Sequence, residues 1–203
     1  FGLTLVRFPR EGLDFGEAWA AASLLPVACV LSLGVAVVCL RTLRAASLLL
    51  GAVACEACNA TLKALVRDPR PATCAALEAC SSHGWPSSHA QLQAWVAGVA
   101  VCELRRAGPA LARRDPVVFA LLSAAPAAAG AVAASRVVLG YHTVSQVLAG
   151  ALIGLQLGAL WHGAFEALVG AYGEAILGWW PLRALAFERE RGEGEAEAHE
   201  KLR

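Results

Sequence analysis

The residues best suited to chemistry fall in three short polar stretches separated by long apolar runs. Lys63 and Arg70 stand in the first, K-A-L-V-R-D-P-R-P; Trp85-Pro86-Ser87-Ser88-His89 is the second; Ser135-Arg136, followed by His142, is the third. An arginine or histidine at membrane depth is expensive and is normally retained for function. Brought to one face, Lys63, Arg70 and Arg136 offer three fixed positive charges. Their natural guest is a multiply charged oxyanion, gripped by bidentate guanidinium forks. Pro86-Ser87-Ser88-His89 opens a helix, so the Ser87 and Ser88 backbone N–H groups are expected to face the same anion. Two histidines on opposite sides of a phosphoryl group can divide the work: one attacks, the other protonates the leaving oxygen. No Cys/His/Asp cluster has metal-ligand spacing, so no metal or other cofactor is expected, and the arginines take the role that Mg²⁺ has elsewhere.

Singly, each of these residues has a duller reading. A lone arginine at a helix end snorkels to headgroups, and a lone interfacial histidine is a satisfied surface residue. We give His162 and His199 that reading, and assign His83 to the loop. What lifts His89, His142, Lys63, Arg70 and Arg136 above it is their joint occurrence at one face.

The elements that must position them follow from composition. The chain is 203 residues long, 58% apolar and only 16% charged. Apolar stretches near twenty residues recur, as in a polytopic membrane protein rather than a soluble domain. A net charge of +1 gives no field for nucleic acid. The sequence begins at Phe1 and contains no Met, so a native start is expected upstream; residues 1–17 do not have the layout of a cleaved signal peptide. Spans are expected over 18–40, 45–66, 88–104, 117–134 and 143–161, the fourth bending at Pro126. Arg105, Arg106, Arg113 and Arg114 fall in a short basic loop. Residues 164–187 read as a helix lying in the interface, with a short sixth span as the alternative. The expected architecture is therefore an all-α polytopic bundle of about five spans, with a membrane domain over 1–187 and a charged cytoplasmic tail over 188–203. Gly150, Gly154 and Gly158 form a small-residue stripe for close packing within the bundle. The loop arginines, with Arg41 and Arg44, share one side, which the positive-inside rule makes cytoplasmic. Lys63, His89, Arg136 and His142 then share the opposite face.

Seven cysteines are present. Cys55-Glu-Ala-Cys58 spells C-x-x-C, but in mid-helix with no second pair, and reads as packing. Cys74 and Cys80 share a polar loop on the oxidising face, where a disulfide between them is expected. Glu56, Asn59 and Lys63 share one helix face, so Glu56 is expected to reach the site from about two turns deeper, directly or through Gln146. Thr143-x-x-Gln146 also fits a capping box.

Taken together, the three stretches resemble the signature of the type 2 phosphatidic acid phosphatase superfamily. Lys63, Arg70 and Pro71 match its K-x6-R-P motif, and Pro86-Ser87-Ser88-His89 its P-S-G-H, with Ser in place of Gly. Ser135, Arg136 and His142 match S-R-x5-H-x3-D, except that Gln146 stands where the Asp belongs. Both departures are similar to the dolichyl-diphosphatase branch. That resemblance implies a metal-independent enzyme of the endoplasmic reticulum membrane, cleaving a polyisoprenoid diphosphate, dolichyl diphosphate, to dolichyl phosphate and inorganic phosphate at the lumenal face, and so recycling a glycan carrier. It implies His142 as the nucleophile forming a phosphohistidine and His89 as the acid. Lys63, Arg70 and Arg136 would hold the phosphoryl oxygens, aided by Ser87, Ser88 and the Ser135 hydroxyl. Competing readings are a broader lipid phosphatase, a silent binder of anionic lipid, and a transporter; charges gathered at one end argue against the last.

Overall fold

The structure, a computed structural model, describes residues 16–76, 82–185 and 187. Eight helices follow one another among them: α1 (Gly16–Ser23), α2 (Leu25–Leu40), α3 (Leu43–Val66), α4 (Ala72–Ala76), α5 (Ser88–Arg114), α6 (Pro116–Val138), α7 (Val144–Gly178) and α8 (Trp180–Ala184). The expected lead-in and tail lie outside the described residues, except where α1 begins.

Local chemistry sets the boundaries. Pro26 sits in the first turn of α2, where its missing N–H does no harm but interrupts the chain from α1. Thr42 caps α3 by accepting from the Ala45 N–H. At the other end Arg67 turns left-handed, with φ 54°, and Pro69 and Pro71 keep the chain extended beyond it. Asp115 caps α6 with Pro116 in the first turn, and Thr143 and Gln146 complete a capping box on α7.

Among the described residues, four stretches are long and apolar enough to cross a membrane: Gly16–Leu40, Leu43–Val66, Pro116–Val138 and Val144–Gly178. The fifth long helix, α5, carries Gln91, Gln93 and several charges, and packs chiefly against α7 and α6. Its polar groups are tolerable because other helices cover them. Buried Gln91 donates to the Cys55 carbonyl and accepts from Asn59, so each group has a partner in place of water. Trp95, Leu92, Cys55 and Ala52 make the core between α5 and α3.

Four expectations are corrected here. The basic segment 105–114 is helical, not a loop: α5 continues through Pro109 to Arg114. Ser135 and Arg136 lie inside α6, which runs on to Val138. Residues 164–178 are not a separate interfacial helix but the second half of α7, whose 35 residues span about 52 Å, well beyond a hydrocarbon core of about 30 Å. No proline interrupts the chain between Val144 and Gly178, and Phe165, Leu168, Val169 and Ile176 continue its apolar face, lining with Leu43 and Leu50 an open apolar groove. His162 is also not a surface residue. It is buried and bonded to Glu103 at 3.0 Å, in a network where Arg44 bridges Glu103 and Glu166 at 3.1 and 2.7 Å.

The glycine stripe works within the bundle. A Cβ on Gly150 would lie 2.5 Å from the Ser87 carbonyl oxygen, and one on Gly98 would lie 2.6 Å from that of Leu155. Gly154 and Gly158 meet the Gln91 and Trp95 carbonyls in the same way. Backbone thus packs on backbone, leaving no side chain free to yield. Gly154→Ala is expected to destabilise the protein by about 1–3 kcal/mol, read as a lower melting temperature in detergent. Gly163→Ala, with open space around the site, should leave it unchanged. Equal effects would contradict this account of the α5–α7 crossing.

Candidate active site

The three polar stretches converge at one end of the bundle. Lys63 comes from the last turn of α3, His89 from the first turn of α5 and Arg136 from the last turn of α6. Arg70 lies in the extended link after α3. His142 lies in the turn between α6 and α7, where the N–H groups of Tyr141 and His142 both donate to the Arg136 carbonyl. Gly140, at φ +76°, makes that turn possible, and the Thr73 hydroxyl donates to its carbonyl at 2.8 Å. Leu139, Tyr141 and Cys74 bury one another beneath the loop. Cys74 is disulfide-bonded; Cys80, its expected partner, lies outside the described residues.

The cations are held firmly. Lys63 Nζ donates to the His83 carbonyl at 2.9 Å, so exposed His83 contributes its backbone. Arg70 is gripped by Ser82, its Nε donating to the carbonyl at 2.8 Å and its Nη2 to the hydroxyl at 2.9 Å. Its remaining nitrogen, Nη1, lies 3.2 Å from His142 Nε2. Arg136 is buried with its guanidinium 4.1 Å from the centre of the Tyr141 ring. Neither the Arg136 Nε–H nor the buried Ser87 hydroxyl has a hydrogen-bond partner among the described residues. Burial of such donors is costly unless something accepts from them, and an oxyanion is what these would suit. His89 lies within electrostatic reach of Arg136, Arg70 and Lys63.

The geometry around His142 fixes its tautomer. Gln146 Nε2 donates to Asp68 Oδ2 at 2.6 Å and to the Pro69 carbonyl at 2.8 Å. The same amide's Oε1 accepts from the Thr143 N–H at 3.2 Å and lies 3.1 Å from His142 Nδ1. Asp68, Pro69 and Thr143 leave the amide only one orientation, so Nδ1 must carry the proton. The lone pair is then on Nε2, facing Arg70. Burial and the neighbouring Arg70 push the imidazole down to about 3, which keeps it neutral and nucleophilic near pH 7. Burial also lowers Arg70 from its ordinary value.

Several expected contributors sit differently. The Ser135 hydroxyl donates to the Val132 carbonyl at 2.7 Å, so it is committed to its own helix. The Ser87 N–H donates to the Gln146 carbonyl and so is not free for the anion, while Ser88 opens α5. Glu56 is exposed, one position beyond the buried line Ala52, Cys55, Asn59 and Lys63, and Gln146 is bonded to Asp68 instead. The expected path from Glu56 through Gln146 is therefore replaced by one from Asp68. Sequence reasoning missed Asp68, Ser82 and Tyr141. Asp68 stood inside the first motif as the only carboxylate there, which was the available signal. Among the described residues, Glu103, His162 and Glu166 could together hold a metal. They lie at the opposite end of the bundle, with Arg44 and Arg106 on the two carboxylates.

Comparison with known proteins places these features in context. The profile of the PAP2 superfamily matches residues 44–169. The chain is 37% identical to lipid phosphate phosphatase gamma of Arabidopsis thaliana, over 88% of its length and 80% of that protein's. It is 32% identical to dolichyldiphosphatase 1 of Dictyostelium discoideum, over 84% and 73% of the respective lengths. Among solved structures, it is similar to the transmembrane PAP2-type phosphatidylglycerolphosphate phosphatase of Bacillus subtilis, with TM-score 0.60, 26% identity and 81% of each chain covered.

Proposed function

The chain belongs to the PAP2 superfamily of membrane lipid phosphatases, and on that premise we propose that it removes the terminal phosphate of a polyisoprenoid diphosphate such as dolichyl diphosphate. The observation that carries this reading is His142, locked as the Nδ1–H tautomer with Nε2 directed at Arg70 among Lys63, Arg136 and His89. On this reading the diphosphate's terminal oxygens take the hydrogen bonds of Arg70 Nη1, the unpaired Arg136 Nε–H, Lys63 and the Ser87 hydroxyl. His142 Nε2 attacks phosphorus in line, and the bridging P–O bond breaks with its electron pair on the departing lipid phosphate. His89, protonated once the diphosphate's charge offsets the three cations beside it, supplies a proton to that oxygen. Water then attacks the phosphohistidine, giving its proton to His89, and the P–N bond breaks to return neutral His142. Phosphoryl transfer is mainly positioning and electrostatics, and the cationic set supplies both.

The lipid-diphosphate assignment is supported by the dolichyldiphosphatase relative and by Gln146 in place of Asp. The Arabidopsis relative's name supports a broader lipid-phosphate reading of the same site. We place the site on the lumenal side of the endoplasmic reticulum, because Arg41, Arg44, Arg105, Arg106, Arg113 and Arg114 are at the other end. Phosphate release by purified protein from a panel of lipid mono- and diphosphates is the test. Polyprenyl diphosphates should head the panel, with the rate within about twofold after chelation. Inertness on every lipid phosphate, or loss of activity on chelation, would overturn the reading.

A further inference from the structure

We infer that Asp68 is a positioning residue for the nucleophile, delivering a carboxylate's negative charge to His142 through the amide of Gln146. The inference rests on the reading of His142 as the attacking group. Three contacts carry it. Asp68 Oδ2 accepts from Gln146 Nε2 at 2.6 Å, a short charge-assisted bond. Gln146 Oε1 lies 3.1 Å from His142 Nδ1, and the Thr143 N–H donates to the same oxygen at 3.2 Å. Gln146 is fully buried, whereas Asp68 is half-buried, so the bridge runs out of the protein interior toward the link after α3.

The chemistry follows from the bond made at Nε2. When Nε2 bonds to phosphorus, the Nδ1 proton stays in place and the ring takes on positive charge. Lys63, Arg70 and Arg136 stand around that ring, so a new cation there is opposed unless a negative group compensates. An amide cannot do this alone, because it has no charge. An amide polarised by a carboxylate on its N–H side can, because its oxygen becomes a stronger acceptor for Nδ1–H. Asp68, Gln146 and His142 thus form a three-member chain in which the charge is one side chain further out than in a direct Asp–His pair. The fold supports its geometry. The Gly84 N–H donates to the Asp68 carbonyl at 2.7 Å, and a Cβ on Gly84 would run into the Gln146 amide. The position therefore needs a residue without a side chain.

Asp68→Asn tests this, because it keeps the size and an acceptor oxygen but removes the charge. The turnover number should fall roughly 10- to 100-fold, with KM within about threefold, since charge on the ring develops only in the transition state. Orthovanadate, which can take a fifth bond from Nε2, should lose affinity by a comparable factor. Inorganic phosphate, held by the cations without that bond, should bind within about twofold of its original affinity. Adding Gln146→Asp to Asp68→Asn places a carboxylate directly on Nδ1 and should restore most of the lost rate. In the unmodified background Gln146→Asp sets two carboxylates together and should not help. Unchanged turnover and vanadate affinity in Asp68→Asn would overturn the relay while leaving the phosphatase reading intact. Asp68-dependent vanadate binding in a protein inert on every lipid diphosphate would support the relay and overturn the substrate reading alone. Equal loss of vanadate and phosphate affinity would reduce Asp68 to a structural brace.

Discussion

His142→Ala is expected to abolish turnover, by roughly 10⁴-fold or more, since a nucleophile removed from a working set leaves little behind. The same substitution should remove the phosphoenzyme. With substrate labelled on its terminal phosphate, rapid quenching should trap acid-labile, base-stable label on His142 in the unmodified protein and none in the variant. Label in His142→Ala would move the nucleophile elsewhere and sink the assignment. The pH profile gives a second readout. Burial and Arg70 hold the imidazole near 3, so the uncharged, attacking form predominates at every pH above that. The fall in kcat/KM that comes from protonating His142 should therefore lie far below the 6.5 of a free histidine. Removing the Arg70 charge raises the ring's pKa, so Arg70→Met should move that fall upward as well as weaken substrate binding.

The fold was legible to the extent that periodicity and length carry it. Apolar runs of spanning length located the long helices, and Asp115-Pro116 and Thr143-x-x-Gln146 located two helix starts, because capping is a local matter. Helix ends were less legible where nothing in the sequence stops a helix. The arginines after Leu104 looked like a loop, yet Arg105 and Arg106 fit on α5 because Arg106 reaches Glu103 on the preceding turn, at 2.7 Å. The stretch after Trp161 looked amphipathic and separate, yet no proline interrupts it and its apolar face lines a groove shared with α3. His162 was misjudged for a related reason: Glu103, its partner, is 59 residues away and no local pattern announces the pair.

The site divides along the same line. Its cations and histidines could be placed at one face because helix count and orientation bring their ends together. Which group touches which could not. Glu56 and Asp68 both lie within seven residues of Lys63, and helical spacing favoured Glu56. The left-handed turn at Arg67 and the prolines after it carry Asp68 back toward the start of α7, a reversal that spacing on a helix cannot describe. Ser135 illustrates the converse. It belongs to a recognisable motif, yet its hydroxyl bonds to its own helix, so its buried place against the site is a matter of packing.

The leaving group separates the two phosphatase readings and gives the last prediction. Attack by His142 on a terminal phosphoryl group expels a lipid phosphate from a diphosphate but a lipid alkoxide from a monophosphate. A phosphate monoester leaves as a stable anion, with a second pKa of about 6, whereas an alkoxide must receive its proton as the bond breaks. A nucleophile supported through an amide, with the carboxylate one side chain away, is less strongly activated than one paired directly with Asp. Such a site tolerates the deficit best when departure is easy. We therefore expect kcat/KM for polyprenyl diphosphate to exceed that for the matching monophosphate by about 100-fold or more, which is about 2.7 kcal/mol of barrier. His89→Ala sharpens the comparison. Loss of a general acid costs typically 10²- to 10⁴-fold where the proton is needed, so any monophosphatase activity should fall by that much. Phosphohistidine formation from the diphosphate, read in a single turnover, should fall by about tenfold or less, because its leaving group can depart without that proton. Hydrolysis of the intermediate, which uses His89 as base, slows equally for both substrates. Equal efficiency on the two unmodified-enzyme reactions, with equal sensitivity to His89→Ala, would place the protein with general lipid phosphate phosphatases. A large diphosphate preference that survives His89→Ala would tie the selectivity to leaving-group chemistry, with lipid length secondary to it.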